Sequence, residues 1–158
     1  MADLVVQLDP PVMRVVFPQG RRLLFEVPVD PVAVRAGAVE DPAAVRDALR
    51  SVLQQMLLRG KRPRRVWWVL PLEAVAEHVF SLPPVARADL KPAVDRLVRE
   101  WLGPDAPPVA VRWRVVSRSA DEVRVYVSAV RSDTLSSLGS LAESLKLKVK
   151  GYLGLTPL

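Results

Sequence analysis

The sequence predicts an α/β protein in which one sheet-and-helix domain carries an inserted module. Three observations predict it. Short apolar runs with period-two alternation are interleaved with stretches whose apolar residues recur at helical spacing. Fifteen prolines punctuate the boundaries between them. The order of the elements, βββ–α–β, then β–α–ββ, then α–β, places a strand–helix–strand–strand unit in the middle of a sheet domain. The expected boundaries are residues 1–70 with 132–158 for the sheet domain and 71–131 for the insert. A chain of 158 residues, half of them apolar, can form a real core, burying about 70% of its unfolded surface.

Leu4 to Leu8, Val12 to Phe17 and Arg21 to Val27 read as three short strands, separated by the turns Asp9-Pro10-Pro11 and Pro18-Gln19-Gly20. Asp41 and Pro42 start a helix, because Asp41 can cap and proline suits the first helical position. Val45, Leu49, Val52, Leu53 and Met56 then form one apolar stripe, and Arg59-Gly60 ends the helix. Arg65 to Leu70 reads as a buried strand bounded by Pro63 and Pro71. Ala74 to Leu82 leans helical by propensity, but Pro71, Pro83 and Pro84 leave little room, so a strand is expected. Asp89 is expected to cap a second helix, with Leu90, Val94, Leu97, Val98 and Trp101 inward, Pro92 in its first turn and Gly103-Pro104 at its end. Val109 to Val116 and Val123 to Val130 form a hairpin through Ser117 to Asp121. Ser132 or Asp133 starts a third helix, and Leu147 to Tyr152 is the last strand.

Composition removes several chemistries. Without cysteine there is no disulfide, thiolate nucleophile or thiolate metal site. A single histidine, His78, makes a zinc site or a His-centred triad improbable. No Gly-x-Ser-x-Gly elbow accompanies the serines at 132, 136, 137, 140 and 144, which read as caps and polar face. No uncharged apolar run reaches membrane-spanning length, and the Met1-Ala2-Asp3 start lacks the basic flank of a secretory signal, so a soluble cytoplasmic chain is expected. The net charge of +6 is a mild excess spread along the chain, compatible with nucleic acid, anionic lipid or an acidic protein.

Several motifs, in order, resemble a known family. They are Ala36-Gly37-Ala38-Val39-Glu40-Asp41-Pro42 before a helix, the basic turn Gly60-Lys61-Arg62-Pro63-Arg64-Arg65-Val66, Ser81-Leu82-Pro83, the helix start Asp89-Leu90, and the closing Gly151-Tyr152-Leu153-Gly154-Leu155-Thr156-Pro157-Leu158. Their order and spacing are similar to the first half of PilM, the type IV pilus assembly protein, and more distantly to FtsA and the actin-like ATPases. The resemblance implies half of an actin-like, ribonuclease H-like fold with an inserted strand–helix–strand–strand subdomain. The chain departs from the family at its phosphate turn, which requires an acid followed by glycine and small hydroxyl residues. Here it reads Asp9-Pro10-Pro11-Val12. Proline has no N–H for a phosphate, so the cradle is lost. The family's second phosphate loop and adenosine pocket belong to its other half, after the point where this sequence stops. The expectation is no catalysis, no cofactor and no metal.

The resemblance further implies a scaffold at the inner face of the inner membrane. It would grip the cytoplasmic tail of a single-pass pilus protein, PilN-like, in a groove near Val39, Asp41, Leu82, Pro83 and Trp101, and reach the membrane through that partner. The hairpin adds Arg112, Arg114, Arg124 and Tyr126 on one outer face, facing either an acidic protein surface or solvent. Edge strands of the insert offer a site for strand addition. The basic run Gly60 to Arg65 would meet phosphates or anionic lipid, or simply close a helix. Asp9 reads as a turn acid rather than a metal ligand, and His78 as a surface or core histidine. Two further readings stay open: an actin-like ATPase completed by a second half, and a basic nucleic-acid-binding module using the three arginines. Nucleic acid is not the expected partner, because no aromatic-rich RNA-recognition strand is present. Self-association through an uncovered apolar face is left open.

Overall fold

The computed structural model describes residues 3–9, 11–35 and 38–154. Pro10 of the expected phosphate turn, Ala36 and Gly37 of the first family motif, and residues 155–158 of the last lie outside them. The chain divides into two compact units, Met1–Val75 with Asp133–Leu158, and Ala76–Ser132.

The first unit is built on a five-stranded mixed sheet in the order β10-β6-β1-β2-β3. Strands β1 (Asp3–Asp9), β2 (Val12–Phe17) and β3 (Leu23–Pro28) form the antiparallel meander that alternation and prolines predict. Strands β6 (Arg65–Leu70) and β10 (Lys148–Gly154) add to β1 in parallel. Register brings Leu4, Val6 and Leu8 level with Val66, Trp68 and, through β2, with Val15 and Met13, all on one buried face. Helix α1 (Pro42–Leu58) buries Val45, Leu49, Val52 and Met56, and α3 (Ser132–Ser144) buries Leu138, Leu141 and Ala142. The Trp67-Trp68 pair splits as a strand requires: Trp68 is fully buried, while Trp67 takes the opposite face, where its indole N–H donates to Asp3 at 3.4 Å.

Local chemistry sets the ends of α1. Asp41 is its N-cap, accepting the Ala44 N–H at 3.1 Å, with Pro42 in the first turn. At the other end the Lys61 N–H reaches the Met56 carbonyl at 2.9 Å and the Gly60 N–H the Leu57 carbonyl at 2.9 Å. This is a Schellman closure, and Gly60 takes its left-handed residue at φ 71°.

The second unit has a three-stranded sheet in the order β7-β9-β8, from β7 (Val75–Leu82), β8 (Val109–Arg118) and β9 (Val123–Arg131). Strands β8 and β9 pair antiparallel. Helix α2 (Arg87–Leu102) packs Leu90, Val94 and Val98 against Val123, Val125, Val127 and Leu82.

Three local expectations are corrected. Helix α2 begins at Arg87 with Ala86 in the capping position, so Asp89 lies inside the first turn instead of capping. Pro92 consequently falls in the second turn, and the Ala88 carbonyl loses its helical donor. Strand β3 starts at Leu23, leaving Arg21 and Arg22 in the turn. A short pair, β4 (Val34–Arg35) and β5 (Ala38–Val39), and two 3₁₀ turns had no sequence signal.

Candidate functional site

The insert carries the richest constellation of side chains. Along β7, residues 78, 80 and 82 face α2 by alternation. Leu82 is only 5% exposed and belongs to the insert core, so its side chain is unavailable to a ligand. Above it the rings of His78, Phe80 and Trp101 cluster, His78 to Phe80 at 4.5 Å, His78 to Trp101 at 5.4 Å and Phe80 to Trp101 at 5.8 Å between centroids. Two of the pairs are tilted and the Phe80–Trp101 pair is edge-on, the last an arrangement that favours aromatic association. His78 is the most open of the three and Pro83 is exposed just beyond the strand. Strand β7 is an edge of its sheet, so the cluster flanks a row of backbone groups.

The opposite face of the same sheet is basic. Arg112 stands across from Ser128, Arg114 from Tyr126, and Arg124 from Ser117, with the register shifted by a bulge between Val115 and Ser117. All three arginines are exposed. The Arg114 guanidinium lies 5.4 Å from the centre of the Tyr126 ring. The Tyr126 hydroxyl donates to Glu77 of β7, and the Ser81 hydroxyl donates to Glu122. The Glu77 carboxylate holds the Tyr126 hydroxyl above its ordinary pKa of 10.0, helped by desolvation and opposed by Arg114.

Of the expected tail-contacting residues, Leu82, Pro83 and Trp101 lie in the insert unit, while Val39 and Asp41 lie in the sheet unit. Val39 is half-buried on β5, and the Asp41 carboxylate is occupied as a cap. Phe80 and Glu77 were missed by sequence reasoning, although the alternation of 78, 80 and 82 was a usable signal. Asp9 is exposed in the hairpin end, 3.4 Å from the Arg14 guanidinium, which also reaches Glu26 at 3.1 Å. The Pro11 carbonyl accepts from the Val29 N–H at 2.8 Å. Position 11 therefore offers no donor, and its carbonyl already accepts one hydrogen bond. Among the described residues no cluster of three His, Asp or Glu side chains could hold a metal, and no helix is long and apolar enough to cross a membrane.

Two cavities lie beside the helices. One of about 340 Å³ is lined by Val98, Leu102, Pro104, Pro107, Pro108 and Val109 at the end of α2. The other, about 380 Å³, lies between α1 and α3 and is lined by Pro42, Arg46, Ser136, Ser137, Ser140 and Ser144. The Ser144 hydroxyl donates to the Leu141 carbonyl at 2.6 Å, so it is bound within its own helix.

This architecture has counterparts among solved structures. The PilM-PilN type IV pilus biogenesis complex superposes with a TM-score of 0.75 at 19% identity, over 96% of this chain and 47% of that one. The chain has the PilM-like fold. It is a mixed α/β sheet unit with an inserted strand–helix–strand–strand unit, the order the sequence motifs imply. The cytoplasmic domain of EpsL, an inner-membrane component of the type II secretion system of Vibrio cholerae, is similar at a TM-score of 0.60 and 15% identity, over 97% of this chain and 57% of that one. This PilM-like chain thus spans about half the length of the structures it matches. No family model matches the sequence, and no curated protein is similar enough in sequence to match it.

Proposed function

We propose that this PilM-like chain is a non-enzymatic scaffold of an inner-membrane assembly machine of the type IV pilus class, binding the cytoplasmic tail of a PilN-like bitopic protein. The observation that carries the reading is the superposition on the PilM–PilN complex across both units of the chain. The likeness to EpsL points to the same class of machine, a cytoplasmic platform beneath a secretion or pilus apparatus. The lost phosphate turn argues against nucleotide chemistry at this half of the fold, because two of its positions carry proline.

The tail docks as an added strand along the free edge of β7. Side chains alternate across an added strand. One set then meets His78, Phe80, Trp101 and Pro83, which supply apolar contact. The other set runs beside Glu77, Val79 and Ser81 of β7, where Glu77 is engaged by Tyr126; Arg124, and Arg112 and Arg114 beyond it, stand further across that face and speed encounter with an acidic tail. Leu82 supports this edge from within the core.

Titration calorimetry with the synthetic tail of a neighbouring PilN-like gene product tests the reading. Binding in the micromolar range, about −8 kcal/mol, is expected. Replacement of His78 by alanine should weaken it by about 1 kcal/mol or more, and added salt should slow association. Absence of heat at high micromolar peptide sinks the proposal. A parallel titration with Mg·ATP should give no signal; a saturable one would favour the ATPase reading.

A further inference from the structure

The charges of the sheet unit are segregated along its strands. Strands β1, β3, β6 and β10 all run the same way, and α1 and α3 run back against them. The amino ends of those strands and the carboxyl ends of both helices therefore share one end of the unit. At that end the β2–β3 turn presents Arg21 and Arg22, and the close of α1 presents Arg59 and Lys61. The link to β6 adds Arg62 and Arg64, and the α3–β10 turn adds Lys146 and Lys148. None of these eight is in an ion pair among the described residues; the acids nearby are Asp3, engaged by Arg65, and Glu143. The far end carries acids instead, Asp9, Asp30, Asp41, Glu73 and Asp133.

The two helix carboxyl termini account for part of this, but each contributes only about half a negative charge. Roughly one unit of negative dipole charge does not offset eight cations, and Arg21 and Arg22 belong to neither helix. The turns are packed together: a methyl built on Gly20 would lie 3.7 Å from Lys61 Nζ. Arg21, Arg22, Arg59 and Lys61 line a cavity of about 480 Å³ with Leu23 and Leu24.

The same end exposes apolar surface. Leu58 is 89% exposed, Leu24 56% and Leu57 50%. Free phosphate gives leucines nothing; a lipid surface accepts both the cations and the leucines.

We propose that this basic, leucine-tipped end of the sheet unit rests directly on an anionic bilayer surface, its cations among the headgroups and Leu24, Leu57 and Leu58 at the acyl boundary. This contact is independent of the tail-binding reading, since it uses the other unit, and either can fail alone.

Co-sedimentation of the full chain with phosphatidylglycerol–phosphatidylcholine vesicles, against phosphatidylcholine alone, tests it. Binding to the anionic vesicles only, weakening with salt, is expected. The pair Arg21→Ser with Arg22→Ser should lower partitioning about 25-fold, at roughly fivefold per cation. The pair Leu57→Ser with Leu58→Ser should lower it roughly tenfold. Arg87→Ser with Arg96→Ser removes the same charge from α2 and should leave binding within about twofold; an equal loss there would reduce the effect to net charge and overturn the proposal. Melting temperatures verify that the variants are folded. Equal binding to neutral vesicles, no binding to anionic ones, or full binding by the leucine variant would each overturn it. So would duplex DNA binding at this end that ignores the leucines, without vesicle binding.

Discussion

Gly151 shows how one residue can be dictated by a neighbour. A Cβ at this position would stand 2.5 Å from the Trp67 ring, inside the closest approach real side chains show. Gly151→Ala should therefore destabilise the sheet unit by about 1–3 kcal/mol, measured by urea unfolding. Asp41 has a similarly plain duty: Asp41→Ala removes the α1 cap and should cost about 1 kcal/mol. The two tyrosines give a pH signature. Tyr126 is raised chiefly by its hydrogen bond to Glu77, and Tyr152 by burial, its hydroxyl donating to the Leu135 carbonyl at 3.0 Å. Both should ionise above 10 in an absorbance titration, and Glu77→Ala should lower one of them only. Because the folded protein holds these protons more tightly than the unfolded chain, their contribution to stability is complete below pH 10. It is lost as pH rises through the folded values.

At the scale of elements, α2 carries an avoidable defect. Pro92 in its second turn leaves the Ala88 carbonyl without a helical donor on an exposed face. Pro92→Ala should stabilise the insert by about 1–2 kcal/mol, less than a mid-helix proline would give, read as a raised melting temperature. The same helix shows where sequence reading stops. Its apolar stripe was legible because spacing sets a helix's buried face, but its start was not, since Ala86 offers no side-chain cap and Asp89 imitates one. Strands β4 and β5 have two residues each, too few for any period to register. The meander and the parallel strands were legible because prolines and alternation agree there. For the candidate site, Arg112, Arg114 and Arg124 followed from period two. Leu82 did not, because the same alternation that marks β7 also turns residue 82 into the core. The grouping of Arg21 with Lys61 is tertiary and leaves no local trace.

On the scale of the whole molecule, each unit owns its own core. The insert closes around Val94, Val98, Val125 and Val127, and the sheet unit around Trp68, Leu49 and Leu138. Val125→Ala should cost about 2 kcal/mol and should speed amide exchange in β7, β9 and α2. Amides of β1 and β6 should keep their protection, since opening follows cooperative units. Uniform acceleration across the chain would show instead that the units open together.

The parallel seam between β6 and β10 joins segments separated by the entire insert. Roughly 80 residues must be translated after β6 before its neighbour exists, about 4 to 16 seconds at usual elongation rates of about 5–20 residues per second. Throughout that interval the nascent sheet holds only its amino-terminal strands, with one ladder of β6 unpaired. The insert, whose elements are contiguous, can finish folding first. A nascent chain stalled within α3 should therefore be the form of this protein most readily captured by a chaperone.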